Sequence, residues 1–211
     1  MRVVLAGFGP FPAAPFNPSG VLARSLLRRR RPALARLVRS AHVFATSYAA
    51  VDRDLPKLFA EKPDIVLVFG LAGRRREVCI ETRARNAVSV LFPDASGHRP
   101  TRGVIKSGAA DALVGHAPFA QLVSAVRAHK VPARISRDAG RYLCNYIYWR
   151  ALERAPKGRP VVQFVHVPTV RLKPRRKRHG EHLRLSLADL VPAGERLLIA
   201  LIAASRRRGV R

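Results

Sequence analysis

Cys144 follows the break at Gly140 and lies in the first turn of a helix predicted to start near Tyr142 and to run Tyr142-Leu143-Cys144-Asn145-Tyr146-Ile147-Tyr148-Trp149. Unpaired amides at a helix start stabilise a thiolate, the form in which cysteine attacks a carbonyl carbon. The same position also suits a small buried apolar side chain, as most free cysteines are. His166 ends the apolar run Val161–Val165 and precedes Val167-Pro168. Its side chain is expected near the carboxyl edge of a parallel sheet, where ligand crevices of open α/β sheets lie and a general base is useful. Glu81 stands among Arg74, Arg75, Arg76, Arg83 and Arg85. Taken alone it reads as a surface ion-pair partner; taken with a cysteine and a histidine it could orient the imidazole and stabilise its cation. The other thiol, Cys79, lies in the apolar stretch Val78-Cys79-Ile80 and reads as core. His179 and His182 flank Glu181 at a spacing that could hold a metal, but no third ligand accompanies them.

Such side chains need a scaffold, and the hydrophobic period supplies one. Val3-Val4-Leu5-Ala6 is a short apolar run stopped at Gly7 and followed by Pro10, Pro12, Pro15 and Pro18, a buried strand feeding a loop. An amphipathic helix is predicted over Ser19–Arg30, a strand over His42–Ala45, a helix over Val51–Glu61 disturbed by Pro56, and a buried strand over Ile65–Phe69 ended by Gly70. A hairpin-like excursion is expected between Cys79 and Leu91, then a polar loop from Pro93 to Thr101. A helix over Pro118–Lys130, a strand over Ala133–Ser136, the helix near Tyr142, the strand Val161–Val165 and a closing helix over Glu195–Arg206 complete the pattern. Alternating strands and helices predict a single-domain α/β/α sandwich over residues 1–211 with a mostly parallel twisted sheet. The basic stretch at about 171–182 reads as a loop before the last helix.

Size and composition agree with that scaffold. The chain has 211 residues, of which 48% are hydrophobic, enough for a sizeable core and too apolar for a charge-rich disordered polymer. No stretch approaches the length of a membrane span, and Met1-Arg2-Val3-Val4 opens no long signal core, so a cytoplasmic location is expected. Two cysteines are too few for a disulfide framework. Forty lysines and arginines against 13 acids give a formal net charge of +27. That balance raises an anionic partner such as nucleic acid, but the basic residues lie in every segment rather than in one arm.

The chain resembles the pyroglutamyl peptidases (pyrrolidone-carboxylate peptidases), a family of cytosolic cysteine exopeptidases, over most of its length. The resemblance rests on Gly7-Phe8-Gly9-Pro10-Phe11 followed by Asn17-Pro18-Ser19; on Gly70-Leu71-Ala72-Gly73 leading to Glu81 and Asn86; on Ala139-Gly140-Arg141-Tyr142-Leu143-Cys144-Asn145; and on Phe164-Val165-His166-Val167-Pro168. It implies an α/β/α sandwich, frequently a tetramer, that removes an amino-terminal pyroglutamyl residue from peptides without a metal or organic cofactor. By position it makes Cys144 the nucleophile, His166 the general base and Glu81 the orienting acid. It also assigns Phe8 and Phe11 to a lactam pocket, with Asn17 matching and Tyr142 and Leu143 standing where the family usually has Phe-Val.

Three positions depart from the family pattern. Leu71 replaces a glutamine near the lactam, Leu91 replaces an arginine near the oxyanion, and Ala45 stands where a threonine is often seen. The triad is retained while the substrate pocket is altered. The alternative is a weakly active or inactive descendant that binds anionic partners through its arginines.

Overall fold

The computed structural model describes residues 1–172 and 184–209. The basic run Lys173–Arg178 and the His179-Glu181-His182 cluster lie outside the described residues. The strands are β1 (Arg2–Phe8), β2 (Val38–Phe44), β3 (Ile65–Leu71), β4 (Val78–Glu81), β5 (Arg83–Arg85), β6 (Ala112–Val114), β7 (Ala133–Ser136) and β8 (Val161–Val167). The helices are α1 (Pro18–Arg28), α2 (Tyr48–Ala60), α3 (Phe119–Arg127), α4 (Leu143–Glu153) and α5 (Leu187–Gly209).

The central sheet has six strands in the order β2-β1-β3-β8-β4-β7. β2, β1, β3 and β8 run parallel, β4 is antiparallel to β8, and β7 is parallel to β4. The sheet is therefore mostly parallel but mixed. Side chains alternate between its faces. Val3, Leu5, Ile65, Leu67 and Phe69 pack on one face with Leu22 and Leu26 of α1 and Leu197, Leu198 and Leu201 of α5. Val4, Ala6, Val66, Val68, Val162 and Phe164 pack on the other with Val51 and Leu55 of α2 and Ile147 and Trp149 of α4. Burial on both faces explains why these strands read as continuous apolar runs rather than as alternation.

The expected hairpin between Cys79 and Leu91 is corrected. Val78–Glu81 is buried throughout and inserts into the main sheet between β8 and β7, whereas Arg83–Arg85 pairs with Ala112–Val114 in a separate two-stranded sheet. The closing helix begins at Leu187 rather than Glu195 and contains Pro192. Pro192 and Gly194 have poor helix propensity, but Ala193 and Leu190 are buried and Gly194 lies close against Leu22 and Leu26 of α1. Packing outweighs the local preference.

Among the described residues no helix is long and apolar enough to cross a membrane.

Candidate active site

The carboxyl ends of β3 and β8 and the start of α4 bring the chemistry together. α4 begins at Leu143 with Tyr142 as its N-cap, and no side chain caps its first amides. Gly140, at φ +83°, makes the left-handed turn before it, a conformation that favours glycine. Cys144 is thus the second residue of a helix whose N-terminal amides have no side-chain partner. Asn145, fully buried, fixes this end of the helix. Its Oδ1 accepts from the Arg85 amide at 2.8 Å, and its Nδ2 donates to the Arg85 and Ala87 carbonyls, each at 2.8 Å.

The sulfur of Cys144 rests over Gly70, which is paired in register with His166. A Cβ at position 70 would stand 2.8 Å from that sulfur and 2.5 Å from Phe164 Cζ. Gly70→Ala is therefore expected to displace both groups. It should lower stability by about 1–3 kcal/mol and turnover by about a hundredfold, read from a thermal melt and an activity assay on one preparation.

His166 is the penultimate residue of β8 and is buried, with the Phe164 ring edge-on at 5.0 Å. Its Nδ1 donates to Glu81 Oε1 at 2.8 Å, and the Cys144 thiol lies near enough to act on its ring electrostatically. Burial favours the neutral imidazole, but the Cys144 and Glu81 interactions outweigh it and raise the pKa of His166 to about 9.

Glu81 closes β4 and is 0% exposed, so the reading of this residue as a surface ion-pair partner is corrected. β4 inserts beside β8 and turns the carboxylate inward. Burial would raise its pKa, but hydrogen bonds and charge from His166, together with Ser136 and Arg75, hold it below the ordinary carboxylate value. Arg75 donates through Nη1 to the same Oε1 at 2.7 Å. The Glu81 carbonyl accepts from Tyr148 Oη and Gln163 Nε2, each at 3.0 Å. Asn145, Arg75, Ser136, Tyr148 and Gln163 were not singled out from the sequence. Asn145 had a signal in its place directly after Cys144; the others meet Glu81 only through the tertiary fold.

The remaining site candidates divide by exposure. Phe8 is buried and packs against Phe44, and Leu143 is buried beneath the start of α4. Asn17 is buried and acts as the N-cap of α1: its Oδ1 accepts from the Ser19 amide at 3.1 Å and its Nδ2 donates to the Gly9 carbonyl at 2.9 Å. Phe11 and Tyr142 are half-buried, and Tyr142 Oη donates to the Pro93 carbonyl at 2.9 Å. Leu71 is half-buried at the end of β3, and Leu91 is 72% exposed. Ala45 is exposed, whereas Thr46 beside it is buried and donates to the Gly9 carbonyl at 3.2 Å. Cys79 is buried in β4, as expected of a core thiol.

Three comparisons bear on this arrangement. The family model described as pyroglutamyl peptidase matches residues 1–204. A pyrrolidone-carboxylate peptidase of Thermococcus onnurineus is 34% identical over 173 residues, 81% of this chain and 84% of that protein. One from Chromobacterium violaceum is 32% identical over 192 residues, 90% and 88% of the two chains. The solved pyrrolidone carboxyl peptidase of Thermococcus litoralis superposes with a TM-score of 0.86 at 26% identity, covering 98% of this chain and 96% of that one. With the solved structure covering 98% of this chain and the family model matching residues 1–204, the chain belongs to the pyroglutamyl peptidase family, a family of cysteine-type peptidases.

Proposed function

We propose that Cys144, His166 and Glu81 hydrolyse the bond between an amino-terminal pyroglutamyl group and the rest of a peptide. The observation that carries this reading is a buried carboxylate-imidazole pair facing a cysteine at an uncapped helix start. With Glu81 ionised, Nδ1 of His166 carries the proton it donates, which leaves Nε2 toward the sulfur. The thiolate attacks the pyroglutamyl carbonyl carbon, and the negative charge formed on its oxygen is taken up by the free amides at the start of α4, including that of Cys144. The imidazolium protonates the leaving amine as the C–N bond breaks, giving a pyroglutamyl thioester. Neutral His166 then takes a proton from water, whose oxygen attacks the thioester and releases pyroglutamate.

For the lactam we assign Phe11 and Tyr142 as the exposed parts of the pocket wall. Phe8, Leu143 and Asn17 hold those parts in place. Leu71 and Leu91 make the pocket less polar than the family pattern. The same reading treats the chain as one domain, since the central sheet interleaves strands from both ends of the described chain. A tetramer, which the resemblance implies, is checked by light scattering.

The test is turnover of a chromogenic pyroglutamyl amide. The raised pKa of His166 sets a sign for its pH dependence: the imidazolium is present below about 9 and lost above it, so kcat/KM is expected to fall as pH rises through that value. A rate unchanged up to pH values well beyond 9 contradicts His166 as the acid.

Binding of nucleic acid through the arginines has less support. An open cleft of about 770 Å³ near the end of α1 is lined by Arg28, Arg30, Arg31 and Arg39. Arg31 is engaged by Glu195, and Arg39 donates to the carbonyls of Leu26 and Arg29.

A further inference from the structure

We propose that Arg75 is a positioning residue, joining the Glu81 carboxylate to the loop that leads into Cys144, so that acid and nucleophile are held as one unit. This rests on the Cys144-His166-Glu81 reading. One arm of the guanidinium, Nη1, donates to Glu81 Oε1 at 2.7 Å and lies 3.4 Å from Ser136 Oγ. The other, Nη2, donates to the Asp138 carbonyl at 2.7 Å. Asp138 in turn organises the turn before α4: its amide donates to Ser136 Oγ at 3.2 Å, and its Oδ1 accepts from the Gly140 amide at 3.0 Å. One planar fork therefore bridges the end of β4 and the entry to the helix that carries Cys144. A guanidinium suits this task because it keeps its charge and fixes two directions at once.

The charge has its own consequence. Oε1 of Glu81 accepts from Arg75 and from His166 together, so the imidazolium forms beside a permanent cation. The charged and titratable groups facing this cluster are Cys144 and Tyr148 from α4, Cys79 and Glu81 from β4, His166 from β8 and Arg134 from β7. Removing the Arg75 cation raises the proton affinity of each acid around it, and of His166 as well. Both limbs of a pH profile then move in one direction, toward higher pH. Loss of a merely structural contact moves neither.

The experiment compares the full-length wild type, Arg75→Gln and Arg75→Lys by two readouts against pH. One is kcat and KM on a pyroglutamyl amide; the other is the rate of iodoacetamide alkylation, followed by mass at the peptide containing Cys144. For Arg75→Gln both profiles are expected to shift up by about one pH unit, with kcat/KM at neutral pH about tenfold lower. Arg75→Lys keeps the charge but not the second arm, so its limbs stay at the wild-type positions while kcat falls severalfold with KM little changed. Unshifted profiles in Arg75→Gln overturn the proposal, as does a shift in Arg75→Lys equal to that of Arg75→Gln. If Arg75→Gln does not fold, Arg75→Lys decides: an undiminished kcat overturns the proposal. A wild type inert toward the amide, with an alkylation profile that still shifts in Arg75→Gln, sinks the substrate reading and leaves the positioning role standing.

Discussion

Replacing Cys144 with alanine is expected to lower kcat on a pyroglutamyl amide by about a million-fold, the loss seen when the nucleophile of a comparable triad is removed. What remains is the contribution of the helix-start amides and of substrate binding. Because the members of such a group act together, adding His166→Ala to Cys144→Ala should cost little more. The fold is not expected to suffer, since Cys144 is half-buried and its sulfur faces Gly70 and the imidazole rather than the centre of the core. The variant also tests the electrostatics. The Cys144 charge is among the influences that raise the His166 pKa, so in Cys144→Ala that pKa falls from about 9. Imidazole proton shifts followed by NMR give it directly. Substantial turnover in the variant removes Cys144 from the mechanism.

Glu81→Gln is the second large effect, with kcat lowered by about 10²–10⁴-fold. The volume of the side chain is nearly unchanged, and a carbonyl in the place of Oε1 still accepts from both Arg75 Nη1 and His166 Nδ1. The buried charge that stabilises the imidazolium is gone, so the thiolate–imidazolium pair is disfavoured relative to the thiol and neutral imidazole. The pKa of His166 is expected to fall, because the charge on Glu81 is among the influences that raise it. Stability gives an independent sign. The folded pKa of Glu81 is depressed, so the carboxylate contributes stability above its ordinary value of 4.5, and that contribution is lost as pH falls through the folded value. The difference in unfolding free energy between wild type and Glu81→Gln should therefore change with pH on the acid side and level off near neutrality. A variant with wild-type kcat eliminates Glu81 as the orienting acid.

Several elements are legible in the amino-acid sequence itself. Ala133–Ser136 forms the expected strand, and Ile65–Phe69 and Val161–Val165 open β3 and β8, each of which runs two residues further. Their apolar runs are short, rich in β-branched residues and bounded by turn signals. The helix that carries Cys144 begins just after Tyr142, as the break at Gly140 predicts. The hairpin around Cys79 was misjudged because a short apolar run does not say which partner strand it takes. The start of α5 was missed because Pro192 and Gly194 argue against a helix that only its packing on α1 stabilises. The setting of Glu81 was the most consequential ambiguity. Five neighbouring arginines describe a surface, and the strand's insertion beside β8 makes it an interior.

From the chain alone came the alternating architecture, the family and the proposal of Cys144, His166 and Glu81 as a triad, because hydrophobic period and motif order are carried within local windows. The reversed direction of β4 and β7, the burial of Glu81 and its meeting with His166 were decided only in three dimensions. Glu81 and His166 are 85 positions apart, and Arg75 reaches the Asp138 carbonyl across 63. No local pattern encodes such contacts, since strand order and direction follow from how the whole chain buries its apolar faces at once.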